Sequence, residues 1–342
     1  MSSVNTAPET PAVLSTGRAP MLSRRRHALL QNAPLLLAAI ILFGTLALYV
    51  FLYHRELDKF PGAFDWTSLT NTALPLVFAA VAQTMVVLTR GIDLSVGGII
   101  DVSNTLAAAN MRPSVGSMVF WTCLILLIGA LAGLLNGVLV AYARLPPILV
   151  TLATLAIFQG IAVRILESPG GHIPSTYTST FTNTQRPSGL LLVGALVLLW
   201  WLFRRTRFGV GVFALGNDEH AALANGLPVR RLKMLVYVMS GVLSAAAGLL
   251  VASTTTGGDA NAGNIYTLTS IAAVVVGGIS FMGGRGSAIG AIFGAFALTL
   301  VTSVLFFAHI DRLYTSFYQG LFLIAAVVLG SLAGRLARGG NR

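Results

Sequence analysis

An all-α protein that crosses a membrane about ten times is the fold class this sequence predicts, and three observations predict it. Only 10% of the 342 residues are charged and 55% are hydrophobic, with a mean hydropathy of +0.81. A soluble domain carries about 25% charged residues, so this chain cannot cover itself with a water-compatible surface. Apolar runs long enough for a bilayer recur along the chain between short polar segments. The basic residues also sort by side. Ten crossings put both termini together with Arg18, Arg24, Arg25, Arg26, Arg90, Arg144, Arg204, Arg205, Arg207, Arg230, Arg231, Lys233, Arg285, Arg335, Arg338 and Arg342. The other side keeps only Arg55, Lys59, Arg112, Arg164, Arg186 and Arg312. The positive-inside rule makes the richer side cytoplasmic.

Residues 1–32 read as a disordered cytoplasmic tail that ends in the topogenic cluster Arg24 to Arg26. The first span, about Ala33 to Tyr53, is roughly 31 Å long as helix. That is too long for a signal-peptide core, and no small-residue cleavage site follows. The second span is about Leu69 to Leu88. The tight loop TRGIDLS, Thr89 to Ser95, leads to a weakly apolar third segment, about Val96 to Asn110. The fourth is about Ser117 to Ala141, the fifth about Ile148 to Leu166 and the sixth about Gly189 to Phe203. Between the last two lies a long Ser/Thr/Gly/Pro-rich loop, Glu167 to Pro187. The seventh is about Met234 to Ser253, the eighth about Leu268 to Met282, the ninth about Ala288 to Ala308 and the tenth about Leu313 to Leu332. Residues 33–333 thus form the transmembrane domain, and 334–342 a basic cytoplasmic tail.

Two glycine ladders, Gly129–Gly133–Gly137 and Gly286–Gly290–Gly294, recur every fourth residue. Such stripes let membrane helices approach backbone to backbone. They read as packing within the chain.

The longest polar interruption after the N-terminal tail is 204–233, with six basic residues around a short capped helix. Asn217 can cap it by accepting from the first-turn N–H groups. Asp218 and Glu219 put negative charge at the positive end of its dipole. Ala222 sits mid-helix, Asn225 ends it, Gly226 can turn left-handed and Pro228 blocks continuation. A helix of about two turns is marginal alone in water, so it reads as a contact element; the plainer reading is a self-supported loop.

Among polar residues, Asp101 is the most exposed to cost, because a carboxylate at mid-membrane is unfavourable by about 2.5–3.5 kcal/mol. It faces the bundle interior, a wet cavity or a proton. A structural hydrogen bond and a pathway role both remain open. In the loop Gly91–Ile92–Asp93–Leu94–Ser95, Asp93 can cap the third helix near Ser95 and Val96, ahead of Gly97. Gln83, Asn104, Asn136 and Gln159 can line a hydrophilic path with Asp101, since each amide offers donor and acceptor to a neutral hydroxyl-rich solute. Each alone is more often an interhelical bond.

Other classes fit poorly. The net charge of +11 reports orientation and anionic lipid in such a chain, not nucleic acid. No G-x-x-x-x-G-K-[ST] phosphate loop occurs. The five histidines lack metal-ligand spacing, so no metal is expected. Asp93 and Asp101 lie about 12 Å apart along a helix, too far for one ion. An ion-coupled secondary transporter using Asp101 is the main alternative, because Gly-interrupted helices and a midplane carboxylate suit it too.

Three stretches carry a resemblance. They are GIDLSVGG (Gly91 to Gly98), ALGNDEHAALANGLPVRRLKMLVYVMSGVLSAAAG (Ala214 to Gly248) and IAAVVVGGISFMGGRGSAIGAIFGA (Ile271 to Ala295). In order and spacing they resemble the membrane permeases of ABC importers, nearest the ribose-type sugar permeases. The similarity covers nearly all the chain past about residue 35. It implies an inner-membrane permease subunit that translocates a monosaccharide and binds no cofactor itself. It also implies a cytoplasmic ATPase that binds ATP and Mg, a periplasmic or extracellular sugar-binding protein, and a second permease subunit. In the family, the segment between the sixth and seventh spans enters a groove on the ATPase. That makes Asn217, Asp218, Glu219, Ala222, Asn225, Gly226 and Arg230 the expected coupling residues. Two departures bear on the solute. Thr267–Leu268–Thr269 stands where the family commonly has acidic–Leu–acidic, and Asp101 where it usually has an apolar residue.

Overall fold

The computed structural model describes residues 21–315, 317–325 and 328. The expected tail up to residue 20, the end of the tenth span and the basic tail 334–342 lie outside the described residues. Twelve α-helices follow in order: α1 (Met21–Leu57), α2 (Ala63–Leu88), α3 (Val96–Asn110), α4 (Val115–Ala141), α5 (Pro147–Ile165), α6 (Ser175–Phe181), α7 (Ser188–Phe203), α8 (Arg207–Asn217), α9 (Glu219–Ala224), α10 (Val229–Thr255), α11 (Asn264–Val276) and α12 (Ala288–Phe307). Helical backbone at 317–325 falls within the expected tenth span. Among the described residues, six helices are long and apolar enough to cross a membrane, or seven if the bent pair α7–α8 is one span.

Each of the first nine expected spans has its helix, with corrections at the ends. Residues 21–32, expected as tail, are helix and continue into the first span. The loop 167–187 contains the short α6. The eighth span stops at Val276 instead of Met282. Gly277 ends it, and Gly278 takes φ +73, a left-handed conformation that cannot continue a right-handed helix. The basic segment is not one loop with one helix. It folds as α8, bent 76° from α7, followed by α9.

Helices α2 and α10 form the interior. The apolar window of α2 is 89% buried, whereas that of α1 is 17% buried. α10 packs against α4, α2 and α3. The α4 ladder is the contact: a methyl on Gly129 would meet the Gly241 carbonyl, one on Gly133 that of Tyr237, and one on Gly137 that of Met234. In lipid, where apolar burial gives no preference for helix over hydrocarbon, this close packing is what holds two helices together. The second ladder is shorter than expected. Gly290 meets Gly277, just past the end of α11, and Gly294 meets Ala273 of α11, but Gly286 lies outside the helix, at φ +135 before the capping Ser287.

α3 is 15 residues, about 22 Å, short of a bilayer core of about 30 Å. Its backbone ends are kept from lipid by protein, as the membrane interior requires. Ser95 to Thr105 are buried without interruption, against α10, α5, α4 and α11.

The connections gather at two ends. At one, Leu88 and Arg90 meet Gly216, Asn217 and Gly284, so loops from the basic-rich side converge. At the other, Gly170 and Gly258 pair in an antiparallel bridge, and Asn71 donates to the carbonyls of Thr182 and Asn183.

Candidate functional site

At the basic end, the central segment builds itself from caps. The Thr206 hydroxyl accepts from Gly209 N–H at 3.0 Å and starts α8. That helix buries Gly209, Gly211, Val212, Leu215 and Gly216. It runs on through Asn217, so Asn217 is not the cap of the next helix. Asp218 is: it is extended (φ −155, ψ 112), and its Oδ1 accepts from His220 N–H at 2.9 Å and Ala221 N–H at 3.0 Å. The shift by one residue follows from backbone geometry, because a residue held in α8 cannot take the extended conformation a cap needs. Those bonds, that from Ala221 foremost, hold the Asp218 carboxyl below the usual carboxylate range.

α9 is six residues, and Ala222 is its one buried residue, packed with Leu215, Val229 and Leu232. Leu223 points outward, 63% exposed. Gly226 takes φ +76 just past the helix end, as expected. Asn225 closes the helix by donating from Nδ2 to the Ala221 carbonyl. Glu219 binds Lys233 of α10, with Nζ 2.7 Å from both carboxylate oxygens. Arg230 is exposed at the start of α10.

In the interior, Asp93 is the hub. Its Oδ1 accepts from the N–H and hydroxyl of Ser95, and its Oδ2 accepts from the Ser240 hydroxyl at 2.8 Å. Asp93 reaches Ser95 N–H as expected but does not cap α3: Ser95 stands at the cap position with no side-chain cap bond, so Asp93 closes a turn ahead of the helix and ties it to α10. Asn136 Nδ2 donates to Ser95 Oγ at 2.8 Å. The Gln83 carboxamide, oriented to match, pairs with the main chain of Asp93 on both sides, at 2.9 and 3.2 Å. Gly91 has no room for a side chain, which would strike Val86 and the Tyr237 hydroxyl. Gly97 is pressed against Thr267 and the Gly263 carbonyl of the outer loop. Four of the expected residues, Gln83, Asp93, Ser95 and Asn136, are therefore one fully buried network.

Toward the opposite end, Asp101 Oδ1 accepts from Gly263 N–H at 2.5 Å, and Asn104 Oδ1 accepts from Asp259 N–H at 2.8 Å. Both residues are fully buried, and Asp101 Oδ2 and Asn104 Nδ2 have no hydrogen-bond partner among the described residues. They fasten the loop before α11 onto α3. Gln159 is separate, half-buried, and bonds Asn264. The outer loops 167–187 and 254–267 are joined by the Gly170–Gly258 bridge.

Sequence reasoning missed Arg90, Ser240 and Tyr237. Ser240 carried a weak signal, as a hydroxyl recurring at Ser244 one turn on in an apolar run. Among the described residues, no group of three or more His, Cys, Asp or Glu is placed to hold a metal.

Residues 66–330 match the family described as branched-chain amino acid transport system / permease component. The chain is 34% identical over 269 residues to the Autoinducer 2 import system permease protein LsrC of Yersinia pestis (strain Pestoides F), covering 77% of this chain and 76% of that one. The protein of the same name in Yersinia pseudotuberculosis serotype O:3 (strain YPIII) is 33% identical over the same length. No solved structure matches.

Proposed function

The chain belongs to the branched-chain amino acid transport system permease family, and from that premise we propose that it carries a monosaccharide or a similarly hydroxyl-rich solute inward. It is a multi-pass permease subunit of an ABC importer in the inner membrane. It is not itself an enzyme; ATP is hydrolysed by a separate subunit of the importer. The proposal adds the solute class, the docking sites and the stoichiometry. ATP and Mg sit on the ATPase, and two permease subunits face each other. A binding protein delivers solute at loops 167–187 and 254–267.

One observation carries the docking reading. α9 is held by the buried Ala222 and the Glu219–Lys233 pair, and leaves His220, Ala221, Leu223 and Ala224 exposed. A helix of six residues cannot persist by itself in water, so such a face suits insertion into a groove on the ATPase. ATP drives the cycle only by binding one conformation of the assembly better than the other. For the solute, the support is the motif resemblance and the relatives' printed role in autoinducer 2 import.

Membrane vesicles holding the permease, its ATPase and the binding protein test this. Uptake of a labelled pentose, or of autoinducer 2, should survive collapse of the ion gradients and stop when ATP is depleted. The opposite pattern would establish the ion-coupled alternative through Asp101. The family match and the engagement of Asp101 with Gly263 favour the ATP-driven reading.

A further inference from the structure

Arg90 occupies a position that its own side chain should avoid. α2 ends in a Schellman turn: Arg90 N–H bonds the Val87 carbonyl and Gly91 N–H bonds the Val86 carbonyl. The residue in the left-handed place of such a turn is usually glycine. Here it is Arg90, at φ +65, with Gly91 one residue later. A non-glycine residue there is strained, because its Cβ crowds the following carbonyl oxygen. The side chain has a use that offsets this. Its Nε donates to the Gly216 carbonyl at 2.8 Å and its Nη2 to that of Asn217 at 2.5 Å. These are end carbonyls of α8, where the helix dipole favours a cation. The surroundings leave no slack: a methyl on Gly216 would strike the Leu88 carbonyl and Gly284, and Gly284 N–H bonds Leu88 O at 3.0 Å.

We infer that Arg90 is the positioning residue that transmits movement of the α8–α9 segment to α2 and α3, an inference that rests on the proposed docking of α9 to the ATPase. Lys233–Glu219 ties α9 to α10, and Arg90 ties the α8–α9 junction to the α2–α3 turn. Two residues after that turn's glycine comes Asp93, which Ser240 links to α10. A push on α9 thus reaches α2, α3 and α10 together rather than α10 alone.

Arg90→Gly is the discriminating variant, because glycine suits the left-handed turn while removing the guanidinium. In proteoliposomes with ATPase and binding protein, R90G should assemble like wild type and hydrolyse ATP within about twofold of it. Uptake per ATP should fall at least about tenfold. R90K keeps one charge without the fork and should fall between. Unchanged uptake per ATP in R90G overturns the inference, and so does loss of ATPase association in R90G. Should R90G fail to insert, R90K decides: coupling equal to wild type overturns the inference, and a loss of about threefold or more upholds it. A wild-type assembly with no ATP-driven uptake would refute the function proposal instead.

Discussion

The Ser240 hydroxyl donates to Asp93, 147 positions earlier in the chain, across 2.8 Å of protein interior. With both Ser95 donors it gives a buried carboxylate three hydrogen bonds. A buried acceptor that loses its donor bears about 1–3 kcal/mol, more when charged. Ser240→Ala is therefore expected to lower the thermal midpoint of the detergent-purified protein by several degrees. The exposed Ser179→Ala serves as the reference, and equal midpoints for the two would contradict the assignment.

Gly133 and Gly241 set the α4–α10 distance, since a methyl on either meets a backbone carbonyl of the other helix. Overpacking of this kind costs about 1–3 kcal/mol. Gly133→Ala should destabilise by that order, whereas Gly160→Ala, with nothing within 4 Å of the added methyl, should be neutral or slightly stabilising. Melting curves of the two variants that coincide would show that the close approach is unimportant.

Asp218, not Asn217, caps α9, so Asp218→Ala should loosen the helix locally and Asp218→Asn much less. Asn217→Ala should leave the cap intact. The pH dependence has a definite sign. The Asp218 carboxyl is held below its unfolded value, so its contribution is present above the ordinary carboxylate range and is lost as pH falls through the lowered pKa. Hydrogen exchange across 219–224 should rise on that descent in wild type and change less in D218N. A flat profile in wild type would count against the cap.

Ala222→Pro removes the bond from Ala222 N–H to the Asp218 carbonyl and costs about 3 kcal/mol in a helix interior. Copurification of the ATPase should drop, and uptake should fall with it. Normal uptake would show that α9 is not the docking element.

Asp101→Ala frees Gly263 N–H, whereas Asp101→Asn keeps an acceptor at the same place. Exchange at residues 257–264 should increase in D101A and stay near wild type in D101N. If solute preference shifts in D101A while that exchange does not, Asp101 acts on the solute rather than on the loop.

Much of this molecule was readable as sequence. The membrane class, nine helix positions and the short helix after Asp218 all rest on local quantities: hydropathy summed over a window, or cap and stop residues a few positions apart. The left-handed Gly226 was legible for the same reason. Partners were not. Arg90 reaches Gly216, 126 positions away, and Asp101 reaches Gly263, 162 positions away. Nothing in the spacing of an isolated polar residue says which distant backbone group lies within 3 Å of it.

What the sequence determined by itself is therefore the identity and order of the nine span helices and the end on which the basic residues collect, because each depends on short stretches meeting lipid or water. Only the tertiary structure decided that Asp218 caps where Asn217 was expected. It also decided that Gly286 is a turn and not a packing contact, and that Gln83, Asp93, Ser95 and Asn136 form one buried network. Those outcomes depend on backbone dihedrals and close approaches imposed by neighbouring helices, and chain position alone does not encode them.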